Sequence, residues 1–135
     1  MSTSANLRLT DGVPKVFSAC HDATPSNVIP DVIELAEEAQ NKEPYFQGML
    51  LDDWLATGYG WSPNETMYAD YEYELSLKKR EIKWINEGET VVVVNYQAKS
   101  VKFWNGETVS YQDLNELSDL LYKCEEQYWE EKEVR

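Results

Sequence analysis

The sequence predicts an α+β domain in which a three- to four-stranded antiparallel meander packs with about four helices. The meander spans about residues 90–109, and residues 15–19 are the candidate fourth strand. Three observations carry this reading. Thr90 to Tyr96 reads TVVVVNY, a β-branched and aromatic run suited to a central strand. Val101 to Trp104 is followed by Asn105-Gly106, the strongest short hairpin signal, leading into Glu107 to Val109. Leu114, Leu117, Leu121, Cys124 and Tyr128 recur at steps of three and four, the mark of a helix with one buried face.

The remaining elements follow in chain order. Residues 1–13 are polar and contain Asp11-Gly12, so they are expected to be partly disordered. Val16 and Phe17 support a strand over 15–19, followed by a breaker-rich loop that includes Thr24-Pro25-Ser26. Pro30 sits where a first-turn proline belongs, with Asp31 and Glu34 placed to complement the positive helix end. Val32, Leu35, Ala36 and Ala39 then mark the inner face of a helix over 30–40. Residues 45–57 read as a second helix ended by Gly58 and Gly60, with Met49, Leu50 and Trp54 on one side. Ser62-Pro63-Asn64-Glu65 resembles a capping box and predicts a third helix beginning at Pro63. Two patterns compete over 66–85. Met67, Tyr71, Leu75, Ile82 and Ile85 fit a helical stripe, whereas Tyr71, Tyr73, Leu75 and Leu77 alternate with Glu72, Glu74 and Ser76 as in a strand. The capping box favours helix. Ser110, with Asp113 three residues on, is the expected cap of a last helix running to about Glu131.

Composition bounds the rest. A chain of 135 residues with 42% hydrophobic and 13% aromatic content can bury one core, and no linker or repeat divides it, so a single domain over 1–135 is expected. The two cysteines have neither metal-type nor redox-type spacing, and they read as reduced thiols of a cytoplasmic protein. No signal sequence is visible at the amino terminus, and the longest apolar run, Val91 to Val94, is far too short to span a membrane.

The formal net charge is −13, and it is unevenly placed. Between Asp31 and Leu77 stand eleven carboxylates against the single cation Lys42, a net of −10. A field of one sign destabilises the compact state by self-repulsion, so a cationic partner is the plainest reason for it. It also repels phosphate and anionic lipid, which argues against direct binding to nucleic acid or membrane. The expected function is therefore that of a small acidic inhibitor. It would occlude the basic, nucleic-acid-binding surface of another protein by setting carboxylates where phosphates would sit. Phage anti-defence and toxin-immunity proteins share this general profile. The candidate contacts are Glu34, Glu37, Glu38, Asp52, Asp53, Asp70, Glu72 and Glu74, with Tyr59 and Trp61 as aromatic anchors, and exposure is expected for only some of Tyr59, Trp61, Tyr68 and Tyr73.

Two other classes compete. The stripe Leu114, Leu117, Leu121 and Tyr128 could instead pack against a second copy, making the chain a structural or adaptor subunit. Asp52-Asp53, or acids brought together by folding, could serve a carboxylate-dependent hydrolase. Catalysis is the weaker reading. His21, the only histidine, adjoins Cys20 in sequence, a placement that rarely lets the two side chains face each other. No metal-ligand spacing, phosphate loop or cofactor motif is present, so neither metal nor cofactor is expected. The run Lys78-Lys79-Arg80, with Lys83, is expected to pair with the chain's own acids.

Overall fold

A computed structural model describes residues 3–11, 15–20, 22–40, 61, 62 and 64–134. These form a seven-stranded mixed sheet and two helices, which corrects the expected meander with about four helices. The strands are β1 (Ala5–Leu9), β2 (Lys15–Ala19), β3 (Tyr71–Ser76), β4 (Glu81–Asn86), β5 (Glu89–Asn95), β6 (Ser100–Phe103) and β7 (Thr108–Ser110). The helices are α1 (Pro25–Gln40) and α2 (Leu114–Val134). Strand order is β2-β1-β3-β4-β5-β6-β7, and β1 against β3 is the one parallel pair. The expected helix over 45–57 lies outside the described residues.

Alternation decides which face each strand buries. One row runs in register across six strands as Phe17, Leu7, Tyr73, Trp84, Val92 and Phe103, and the next as Leu9, Leu75, Ile82, Val94, Val101 and Val109. Both helices pack on this apolar face and on each other. The intervening row, Val16, Arg8, Glu74, Lys83, Val93, Lys102 and Thr108, faces away from the helices.

Residues 71–86 are therefore two strands, and the third helix expected from Pro63 does not form. The helical stripe through Ile82 and Ile85 is cut by the turn over 77–80, where Arg80 takes a positive φ of 55°. The alternating pattern of β3 instead places Tyr73 and Leu75 fully in the core. Within the segment expected to be partly disordered, residues 5–9 form β1, an interior strand with Ala5 and Leu7 wholly buried. Its polar Asn6, 1% exposed, is satisfied: Nδ2 donates to Thr66 O and Glu72 Oε1, each at 3.0 Å, and Oδ1 accepts from Thr66 N at 2.9 Å. Between β4 and β5 the register shifts after Trp84. Val91 becomes the extra residue of a bulge and turns into the core.

Helix α1 starts five residues earlier than expected. Thr24 precedes it, and Pro25 takes the first helical position, where a missing N–H costs nothing. Pro30 lies inside the helix and cannot donate to the carbonyl of Ser26, four residues back. That oxygen accepts instead from Ser118 Oγ of α2 at 2.9 Å, so the defect in one helix is repaired by the other. Asp31 and Glu34 consequently lie beyond the first turn, away from the positive helix end.

The cap of α2 is Asp113, not Ser110. Glu116 N donates to Asp113 Oδ1 at 2.8 Å, and Glu116 Oε2 accepts from Gln112 N at 3.3 Å. The expected apolar stripe holds, with Leu117, Leu121, Cys124 and Tyr128 all buried. Tyr128 meets Trp84 edge-on at 5.4 Å between ring centroids and Trp104 at 5.3 Å, and Trp129 also lies against Trp84.

Candidate acidic interface

Helix α1 buries Val28, Ile29, Val32, Ile33, Leu35, Ala36 and Ala39, and this leaves Asp31, Glu34, Glu37 and Glu38 on its outer side. All four are exposed, and no lysine or arginine occurs among the helix's sixteen residues. The Asp31 carboxyl is held above the ordinary aspartate range by partial burial and then by the neighbouring Glu34 charge. Alongside, α2 exposes Asp119, Glu126, Glu130 and Glu133, with Lys123 interrupting the line. The two helices thus form one outward layer in which carboxylates far outnumber cations.

Other carboxylates of α2 are engaged locally. Glu125 accepts from Tyr71 Oη and, at 3.1 Å, from Trp129 Nε1, while Glu131 accepts from Trp104 Nε1 at 2.8 Å. On β5, Glu89 accepts from Tyr128 Oη at 2.8 Å and pairs with Lys132 at 3.2 Å. These acids clamp the aromatic layer to the helix. The spacing of Glu125 and Trp129, four residues apart on one helix, was the only sequence signal for them.

The residues expected to form one contact surface are divided by the sheet. Glu34, Glu37 and Glu38 lie on the helical layer, whereas Glu72 and Glu74 lie on the opposite face of the sheet and are half-buried. There Glu72 accepts from Asn6 and stands 3.8 Å from Arg8 Nε, Glu65 pairs with Arg8, and Glu74 stands across from Arg8 and Lys83 in neighbouring strands. Arg8 is consequently held more firmly protonated, chiefly through its hydrogen bond with Glu65. Asp70 accepts from the backbone N–H of Ser4 at 2.9 Å and ties down the loop before β3. Asp52, Asp53 and Tyr59 lie outside the described residues.

The aromatic expectations divide in the same way. Trp61 is buried and Tyr73 is wholly so, its Oη donating to Ala23 O, just ahead of α1, at 2.6 Å. Tyr68 is 92% exposed. The stripe offered to a second copy is also occupied at home: Leu117, Leu121 and Tyr128 belong to the chain's own core, and Leu114 packs against it.

Lys78, Lys79, Arg80 and Lys99 sit on two neighbouring hairpin turns at one end of the sheet. Among the described residues they form no ion pair, and the acids Glu43, Asp52 and Asp53, with which they were also expected to pair, lie outside the described residues. Burial pushes the Cys124 thiol up to about 12, so it is an inert core group, and Cys20 is exposed. His21 lies outside the described residues. No cluster of metal-ligating side chains occurs among the described residues, and no described helix is long and apolar enough to cross a membrane. No protein-family model matches the sequence, and searches of curated proteins and of solved structures find no match.

Proposed function

We propose that this chain is a small cytoplasmic binding protein that occludes the basic, nucleic-acid-binding surface of another protein, and that it does so with the helical layer. The supporting observation is the outer side of α1, four exposed carboxylates on a helix without a cation, lying beside the acidic outer side of α2. Asp31, Glu34, Glu37 and Glu38 are spaced three and four residues apart, so successive turns set carboxylates about 5 Å apart along the axis. Phosphates of one DNA strand recur every ~3.4 Å of rise. The match is one of charge density along a convex rod, enough to compete for lysines and arginines that track a backbone. Complementary fields accelerate encounter and make the complex sensitive to salt. Glu72 and Glu74 leave the contact set, since they face away from the helices.

Capture from the native host at low salt, with the intact chain as bait, tests this. A basic nucleic-acid-binding protein should be retained and then released as sodium chloride rises, and Glu34→Lys with Glu37→Lys and Glu38→Lys should abolish retention while melting temperature stays within a few degrees. Retention indifferent to both salt and these reversals would rule the reading out.

A further inference from the structure

A recess of about 230 Å³ opens on the face of the sheet turned away from the helices, and Thr10, Glu74, Ser76, Lys79, Glu81 and Lys83 line it. Register accounts for this composition. Glu74 of β3 stands opposite Lys83 of β4 and Ser76 stands opposite Glu81, while the turn between these strands adds Lys79 and the end of β1 adds Thr10. The framework is fixed by hydrogen bonds that consume both hydroxyls. Ser76 Oγ donates to Asp11 Oδ2 at 3.0 Å and accepts from Lys79 N at 3.0 Å, and Thr10 Oγ1 donates to Leu75 O at 3.2 Å. The turn itself is held by Lys78 N donating to Asp11 Oδ1 at 3.1 Å and by Gln40 Nε2 donating to Leu77 O at 2.8 Å.

The charged groups, by contrast, are not consumed. Among the described residues the side chains of Lys79, Lys83 and Glu81 make no hydrogen bond and no ion pair, although Lys83 and Glu81 are half-buried. Glu74 feels Arg8 on one side and faces Lys83 on the other without contact. Partly desolvated charges of both signs therefore face one small space and leave each other unpaired, so a ligand that bridges them gains charge-assisted hydrogen bonds at both ends. A lone cation would meet two carboxylates but also two ammonium groups, and a lone anion the reverse. A molecule carrying an ammonium and a carboxylate a few atoms apart satisfies both. The recess is smaller than the ~300–1,000 Å³ of drug-sized sites and has no apolar residue in its wall, so the rest of the molecule is small and polar. We propose that this recess binds a small polar α-amino acid, its carboxylate held by Lys79 and Lys83 and its ammonium by Glu74 and Glu81.

The sheet separates this site from the acidic layer of α1 and α2, so it can fail or hold independently of the contact with a basic partner. Titration of the full chain with L-serine and with L-glutamine, followed by amide proton–nitrogen NMR in low-salt buffer, reads it. Shifts should saturate, be confined to Thr10 and residues 74–83, and reach half their amplitude at about 1 mM or below. The methyl ester and the N-acetyl form of each amino acid lack one of the two charges and should bind roughly tenfold more weakly, the equivalent of one charge-assisted hydrogen bond. Lys83→Met and Glu81→Gln keep the side-chain size while removing a charge, and each should weaken binding by about the same factor with the rest of the spectrum unchanged. Lys79 is exposed, so Lys79→Met gives the same test without a demand on folding. Absence of saturable shifts with both amino acids, equal binding of the ester or the N-acetyl form, or unaltered binding by Lys79→Met overturns the proposal.

Discussion

Replacing Ser118 by alanine removes the side-chain donor to the Ser26 carbonyl, which Pro30 cannot serve. A typical intramolecular hydrogen bond contributes about 0.5–1.5 kcal/mol net, and an acceptor left without a partner away from water costs ~1–3 kcal/mol. The bond is part-buried, so the lower half of that range applies, about 1–1.5 kcal/mol. For a domain of this size that lowers the melting temperature by roughly 3–6 °C. The decisive form of the experiment is a double-mutant cycle with Pro30→Ala. Alanine at position 30 restores an N–H four residues beyond Ser26, which can then close the ordinary helical bond. In that background Ser118→Ala should cost less than about 0.5 kcal/mol, giving a coupling near 1 kcal/mol. Loss of the buried proline ring changes stability by itself, but it cancels in the cycle. Urea denaturation of the four proteins, with unchanged m-values, supplies the numbers. An equal cost for Ser118→Ala in both backgrounds would refute the idea that α2 repairs a defect in α1.

Two further outcomes follow from the backbone and the core. Glu87 and Gly88 form a two-residue hairpin loop with φ values of 49° and 82°, so Glu87→Asn, better suited to that region, should raise stability by about 0.5–1 kcal/mol and leave the fold unchanged. A lowered melting temperature would argue against that strain. Burial pushes both Cys124 and Tyr111 up to about 12, from ordinary values of 9.0 and 10.0. The folded state therefore keeps protons that the unfolded state sheds first. The resulting stabilisation is complete below about pH 9 and declines as pH rises towards 12. Urea midpoints measured across that window should fall steadily, and a thiol reagent should modify Cys20 but not Cys124 until the chain unfolds. A flat midpoint, or two thiols reacting together in the native state, would contradict this.

What was legible in the sequence was local. Period and propensity sufficed for β5 to β7, for the strand over 15–19 and for the buried stripe of α2, because in each the pattern of apolar residues is unambiguous within a few turns or pleats. The acidic outer side of α1 was equally readable, since burial of Val32, Leu35, Ala36 and Ala39 leaves Asp31, Glu34, Glu37 and Glu38 nowhere else to point. The capping-box pattern at 62–65 misled because a helix start signal contributes only about 1 kcal/mol, against the complete burial of Tyr73, Leu75, Ile82 and Trp84 that a pair of strands secures.

Tertiary structure alone decided where the acids meet. A strand's side chains reach opposite faces according to register, and register is set by partners distant in the chain: Glu72 and Glu74 turned away from the helices once β3 paired with β1 across more than sixty residues of sequence. The same pairing drew residues 5–9 from an expected frayed end into the middle of the sheet. Charge and hydrophobic period are properties of the chain itself, whereas the face on which a charge emerges belongs to the fold.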